Sequence, residues 1–285
     1  MTAPALAASL ADPVFIVGSG RSGTAMMRKL LSRFSCIEAH HEYLATNIQK
    51  DTVRYSMGLL SEQEMLDRLE ETHGAAVHYC PRHYWLDSSN LFSWLVAPAA
   101  RLFPRAVFIH LVRDGRKVVS SFFHKLGKEM YDDRSVAVLS RWLDDPGKFP
   151  CPPPEKKYWR KIPRPGEAFF EEFPSFGQFE RICYHWTASN AAALEGLAHI
   201  PDERNHFFQL ERLVSEKEEL TRLLAVFGVA YDEESFSLLQ RPHNVAVPRE
   251  FGLTAEEREQ FAAICGPMMR RLGYDIEQKE YFINY

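Results

Sequence analysis

The sequence predicts an open α/β fold built on a parallel sheet, on the strength of three observations. Two short apolar runs, Val14 to Val17 and Ala106 to Val112, are rich in β-branched and aromatic residues, as strands covered on both faces are. A glycine-rich turn from Gly18 to Gly23 joins the first run to a segment whose Met26, Met27, Leu30, Leu31 and Phe34 share one helical face. Strand and helix signatures then alternate along the chain, the pattern of a sheet with helices packed on it.

Each further element has its own local reason. Ser61-x-x-Glu64, Ser215-x-x-Glu218 and Thr254-x-x-Glu257 read as capping boxes, in which a hydroxyl and a glutamate satisfy the first free backbone N–H groups of a helix. Gly74, Gly228 and Gly273 stand where those helices can end, and Pro267 is expected to stop or kink the last one early. The spacing predicts a long helix over Phe176 to Leu197, with Tyr184, Trp186 and Asn190 on a core-facing stripe. Phe207 to Leu210 is a third, weaker strand. Asp145 to Pro174 carries 8 of the chain's 17 prolines and reads as an insertion or lid within a single domain spanning residues 1–285. In it, Tyr158, Trp159 and Phe169 are candidates to line an acceptor cleft, while Lys156, Lys157, Arg160, Lys161 and Arg164 read as a solvated basic cluster, with a role in meeting an anionic acceptor as the alternative.

Bulk composition excludes several classes. With 34 basic and 38 acidic side chains the net charge is −4, so no global field favours nucleic acid or an anionic membrane, and any anion site must be local. No run of about 18 apolar residues predicts a membrane span, and the first residues lack the basic segment of a secretion signal. Five scattered cysteines without a C-x-x-C pair predict reduced thiols and a cytoplasmic protein. His40, His41 and Glu42, or His73, His78 and His83, do not form a metal set, because helical spacings of five turn successive side chains about 140° apart and His83 lies beyond Pro81. No metal is expected.

The turn at Gly18 to Gly23 is built for an anion. A strand, a tight turn and a helix start gather backbone N–H groups and the positive end of a helix dipole around one point. A nucleoside-triphosphate loop would follow its last glycine with lysine, but here Gly23 runs into Thr24 and the cation comes earlier, at Arg21. The second strand likewise ends on Arg113 and opens into a helix that places Ser121 eight residues later, so an arginine and a hydroxyl can grip one phosphate.

In these two motifs the chain resembles the sulfotransferases that use 3′-phosphoadenosine 5′-phosphosulfate (PAPS). Arg21-Ser22-Gly23-Thr24 is similar to the family's 5′-phosphosulfate loop in its R-S-G-T form, as in tyrosylprotein, glycosaminoglycan and bacterial members, and Arg113 to Ser121 is similar to its 3′-phosphate motif. Weaker likeness continues through Asp87 to Asn90, Phe208 to Leu213 and Arg270 to Tyr274. The resemblance implies a P-loop-like three-layer sandwich, a central parallel sheet flanked by helices. It implies PAPS as co-substrate, held by Arg21, Ser22, Gly23, Thr24, Arg113 and Ser121, and in-line transfer of a sulfuryl group to a hydroxyl of a small molecule, carbohydrate or peptide.

Such transfer asks for a general base beside the sulfur. The resemblance points to a carboxylate about twenty residues past the loop arginine; Glu42 stands twenty-one past Arg21, with His41 as second candidate, and Ser88 to Leu95 offer no histidine in the position cytosolic members use. Three departures stand out. The lysine that relatives carry before the second motif is Ser88 here, which leaves a slower reaction or a substitute cation. Leu210 stands where a tyrosine can touch adenine. Finally, the basic, glycine-containing loop that covers the 3′-phosphate in cytosolic relatives is not evident, and Arg249 is a candidate to serve in its place, against the alternative of an ordinary surface arginine. Two rivals follow: a phosphate-loop kinase, and a non-catalytic binder of adenosine 3′,5′-bisphosphate (PAP). Assembly state is not legible.

Overall fold

The computed structural model describes residues 11–241 and 252–277. Five strands, β1 (Asp12–Val17), β2 (Ile37–His41), β3 (Tyr84–Ser88), β4 (Val107–Val112) and β5 (Asn205–Gln209), form one sheet in the order β2-β3-β1-β4-β5 with every pairing parallel. The helices are α1 (Thr24–Leu31), α2 (Ala45–Ser56), α3 (Glu62–Leu69), α4 (Ala75–His78), α5 (Val96–Leu102), α6 (Gly115–Leu126), α7 (Asp133–Asp144), α8 (Gln178–Leu197), α9 (Leu210–Ser215), α10 (Lys217–Ala225), α11 (Glu233–Gln240) and α12 (Ala255–Arg271).

Alternate side chains of the strands feed two cores. Val14, Ile16, Leu86, Ile109, Leu111 and Phe208 pack with residues of α1 and of α9 to α11, while Phe15, Val17, Trp85 and Phe108 pack with residues of α2, α3, α5 and α8 on the other face. The result is the three-layer sandwich with a central parallel sheet that the motifs imply. A third core, around Tyr131, Trp159 and Trp186, joins α6, α7, α8, α12 and residues 158–176.

The topology fixes where a ligand can sit. After β1 the chain moves to one side to make β2 and β3, then crosses back to make β4 on β1's other side. The turns leaving β1 and β4 therefore part toward opposite layers, and they open a crevice at the carboxyl ends of these strands.

Several local expectations need correcting. β2 and β3 carry no apolar signature: Ile37-Glu-Ala-His-His41 is an edge strand, and β3 places buried Asp87 and Ser88 where a hydrophobic run would continue. The third strand is shifted to Asn205–Gln209, with Leu210 opening α9. The Ser61 and Thr254 capping boxes form, but Ser215 ends α9 and α10 starts behind Glu216 with no side-chain cap. Gly74 ends nothing, since a π-helical turn from Glu70 to Gly74 runs on into α4. Pro267 lies inside α12, which reaches Arg271 because Ile264, Cys265, Met268 and Met269 are buried in the third core and offset the lost N–H bond.

The proline-rich segment is partly core. Trp159 is 0% exposed and meets Trp142 edge-on; its Nε1 donates to the Pro153 carbonyl at 2.8 Å and its own carbonyl accepts from Gln49 Nε2 at 2.8 Å. Tyr158, Arg160 and Lys161 are also buried, so neither the acceptor-cleft reading of Tyr158 and Trp159 nor the solvated reading of Arg160 and Lys161 stands. Trp159→Ala is expected to cost about 3–5 kcal/mol in denaturant unfolding, as a large buried aromatic does; unchanged stability would mark the segment as a surface excursion.

Candidate active site

The first turn is a cradle shaped by backbone. Gly20 and Gly23 have φ of 79° and 99°, which side-chain-bearing residues rarely adopt, and a Cβ on Gly23 would lie 2.8 Å from Leu210 Cδ1. Gly23 caps α1, whose first turn has no acidic residue to occupy its free N–H groups. Ser93 braces the entry, with its hydroxyl accepting from Gly18 N–H at 3.0 Å and donating to Gly18 O at 2.9 Å. His185 Nε2 donates to Ser19 O at 3.2 Å, and burial pushes its pKa down to about 3, so it stays neutral and keeps that bond. Ser22 turns inward: its hydroxyl is buried without a partner among the described residues, and only its backbone is available to the cradle.

The two anion motifs are stitched together. Arg21, itself at φ 55°, donates from Nε to Ser121 Oγ at 3.0 Å, and Arg113 donates from Nη1 to the Arg21 carbonyl at 3.2 Å. Burial lowers the pKa of both arginines and, as the largest cause, those of Lys117 and Lys125; the charges of Arg21 and Arg113 add to the drop at Lys125, and that of Arg113 to the drop at Lys117. Four cations thus crowd one place and repel one another, an arrangement relieved by a polyanion.

Arg113 is held from behind. Glu211, its pKa raised by burial, accepts from Asp114 N–H at 2.9 Å and from the Tyr274 hydroxyl at 2.9 Å. Arg116 forks onto Asp114, with Nη2 to Oδ2 at 2.6 Å. Two weakly marked segments, Phe208 to Leu213 and Arg270 to Tyr274, therefore meet under the second motif.

A cavity of about 330 Å³ opens above this cluster, lined by Gly20, Arg21, Gly23, Thr24, His41, Glu42, Asn90 and Arg113, and by Glu129, Lys156 and Arg160 farther along the chain. Glu42 is half-buried and paired with Lys156 at 3.2 Å. His41 Nδ1 lies 2.7 Å from the Ser88 carbonyl, which can only accept, so Nδ1 carries the proton and Nε2 the lone pair. Of the predicted residues, Arg21, Gly23, Thr24, Arg113, His41 and Glu42 share this cavity; Ser121 joins through Arg21, Ser22 does not turn its side chain toward it, and Arg249 lies outside the described residues. Sequence reasoning missed Asn90 and Glu129 as cavity residues, which lie in short 3-10 turns with no periodic signal, and read Lys156 and Arg160 only as part of a solvated or acceptor-facing cluster. Among the described residues no group of three potential metal ligands occurs, and no helix is long and apolar enough to cross a membrane.

A family model described as the sulfotransferase family matches residues 13–145, a little under half of the chain, from β1 through both anion motifs to the end of α7. Over these residues the chain is similar to the sulfotransferase family. Three solved sulfotransferase structures share the fold. One is a sulfotransferase from Alicyclobacillus acidocaldarius, 12% identical, covering 93% of this chain and 96% of that one at a TM-score of 0.51. Another is the sulfotransferase domain of the curacin biosynthetic pathway, 14% identical, covering 94% and 99% at 0.50. The third is the sulfotransferase domain of the Synechococcus PCC 7002 olefin synthase, 15% identical, covering 94% and 96% at 0.50. Among curated proteins, none matches.

The Glu42 turn sits on a buried acid. Glu42 and Leu44 both have positive φ, at 52° and 46°, and Tyr43 between them donates its N–H to Asp87 Oδ1 at 3.1 Å. Asp87 is 0% exposed; burial first, then the Glu42 charge, pushes its pKa up to about 7 against the pull of backbone N–H groups. The folded state therefore keeps a proton that the unfolded chain releases near 3.8. Stability is expected to fall as pH rises from about 4 to about 7, and Asp87→Asn to remove that part of the slope. Unfolding of both proteins across this range checks it; equal slopes would mean that Asp87 is ionised throughout.

Proposed function

We propose that the protein is a PAPS-dependent sulfotransferase acting on a hydroxyl of a small-molecule, carbohydrate or peptide acceptor. The observation that carries this reading is the joined pair of anion motifs, Arg21 to Ser121 and Arg113 to the Arg21 carbonyl, at the carboxyl ends of adjacent parallel strands. The cradle fits a nucleotide phosphate on the chain's own terms: glycines without room for a Cβ, free helix N–H groups and a set of crowded cations.

Arg113 and Ser121 would hold the 3′-phosphate, while Arg21, Thr24 and the N–H groups of Ser22, Gly23 and Thr24 would hold the 5′ side. PAPS, when bound, supplies a sulfuryl group whose sulfur–oxygen bond to the 5′-phosphate breaks as one to the acceptor oxygen forms. The cradle donors aim at the oxygen that becomes charged in that exchange, where losing one typically costs about 2.7–4 kcal/mol. Glu42, at the cavity wall, takes the acceptor proton. His41 is the second candidate, favoured by the lone pair that its bond to Ser88 leaves on Nε2. We assign the protein to the cytoplasm on its scattered, unpaired cysteines.

Two measurements test the reading. In thermal unfolding, PAP at a hundredfold over its Kd is expected to stabilise the fold by about 2.7 kcal/mol, while ATP with magnesium does not; the reverse order would favour a kinase. Glu42→Gln is expected to lower transfer by about a hundredfold or more with PAP affinity unchanged. Unchanged transfer in that variant, together with loss in His41→Asn, would move the base to His41, and a wild-type protein that binds PAP without any transfer would be a binder only.

A further inference from the structure

Among the described residues Arg160 is a buried cation with no salt bridge. It is 7% exposed, lines the cavity, and among the described residues has one hydrogen bond, from Nη2 to the Glu129 carbonyl at a long 3.4 Å, while Nε is buried with no partner there. A guanidinium carries five N–H donors, and burying them unmatched is costly. The nearby carboxylate of Glu42 is already engaged by Lys156.

Its backbone is clamped on both sides. The carbonyl of Trp159 accepts from Gln49 Nε2 at 2.8 Å, and that of Lys161 accepts from the Tyr131 hydroxyl at 2.7 Å. Burial lowers the pKa of both arginines, but the groups that act on Arg160 are Tyr131, Glu42 and Glu129, whereas those that act on Arg113 are Glu211, Arg21, Asp114 and Tyr274. Arg160 also acts on His185, whose ring holds the Ser19 carbonyl at the start of the cradle. It therefore stands at the Glu42 end of the cavity, beside the entry of the glycine turn.

We propose that Arg160 grips the sulfuryl oxygens of the donor, facing Glu42 across the point of transfer. This rests on the sulfotransferase reading. A planar fork with unused donors suits two oxygens of one tetrahedral group better than a lysine does. The proline-rich segment thereby acquires a role that a surface excursion lacks: it carries a fixed charge into the site.

Calorimetric titration of wild type, Arg160→Met and Arg160→Lys with PAPS and with PAP tests the proposal without turnover. The two nucleotides differ only in the sulfuryl group. Arg160→Met is expected to bind PAP within threefold of wild type but PAPS at least tenfold more weakly, with Arg160→Lys between the two. Unchanged PAPS affinity, or equal loss for both nucleotides, overturns the proposal. If Arg160→Met does not fold, Arg160→Lys decides, since loss of the fork is expected to weaken PAPS at least threefold relative to PAP. Wild-type protein that binds neither nucleotide would instead overturn the sulfotransferase reading itself.

Discussion

The site depends on two parallel strands ending side by side. Because β1 and β4 are neighbours, with Val17 opposite His110, the turn after β1 lies directly on the end of β4. A Cβ on Gly18 would come within 2.5 Å of the Leu111 carbonyl, so the two chains approach as closely as backbone allows. That closeness lets Arg113 reach the Arg21 carbonyl and lets Arg21 reach Ser121 on α6. Positive charge is concentrated there by covalent geometry and strand register, and an anion completes it.

The rest of the structure holds this arrangement against its own cost. Left-handed backbone at Arg21, Glu42 and Leu44 carries on the order of 1–3 kcal/mol of strain each. Ser93 and neutral His185 fix the first turn, Glu211 with Tyr274 fixes the end of β4, and Asp87 fixes the turn that presents Glu42. The braces come from β3, α8, α9 and the segments around Ser93 and Tyr274, so elements far apart in the chain meet at the site. The preorganisation suits catalysis, because donors already in place need not reorganise when charge moves.

How far the sequence reveals this varies with the physics of each segment. The runs at Val14 to Val17 and Ala106 to Val112 are buried on both faces, so their strands and the turns behind them are plain. β2 and β3 are not, because the side chains that make them useful, His41, Asp87 and Ser88, replace the apolar residues that would mark them. Arg21 and Arg113 are legible from motif spacing, and Glu42 is a candidate only through the family resemblance. Glu211 and Tyr274 stand 63 positions apart and meet only in three dimensions. Arg160 and Lys161 look like surface charges beside so many prolines; their burial follows from Trp159 and Tyr131, whose packing no local pattern announces.

The central claim is that Arg113 holds a 3′-phosphate while the Arg21 turn holds the 5′ end of the same nucleotide. Binding of PAP and of adenosine 5′-monophosphate, which lacks the 3′-phosphate, to wild type and Arg113→Met tests it most directly. Removal of the 3′-phosphate is expected to weaken binding at least tenfold in wild type and hardly at all in the variant. An equal loss in both proteins would contradict the account.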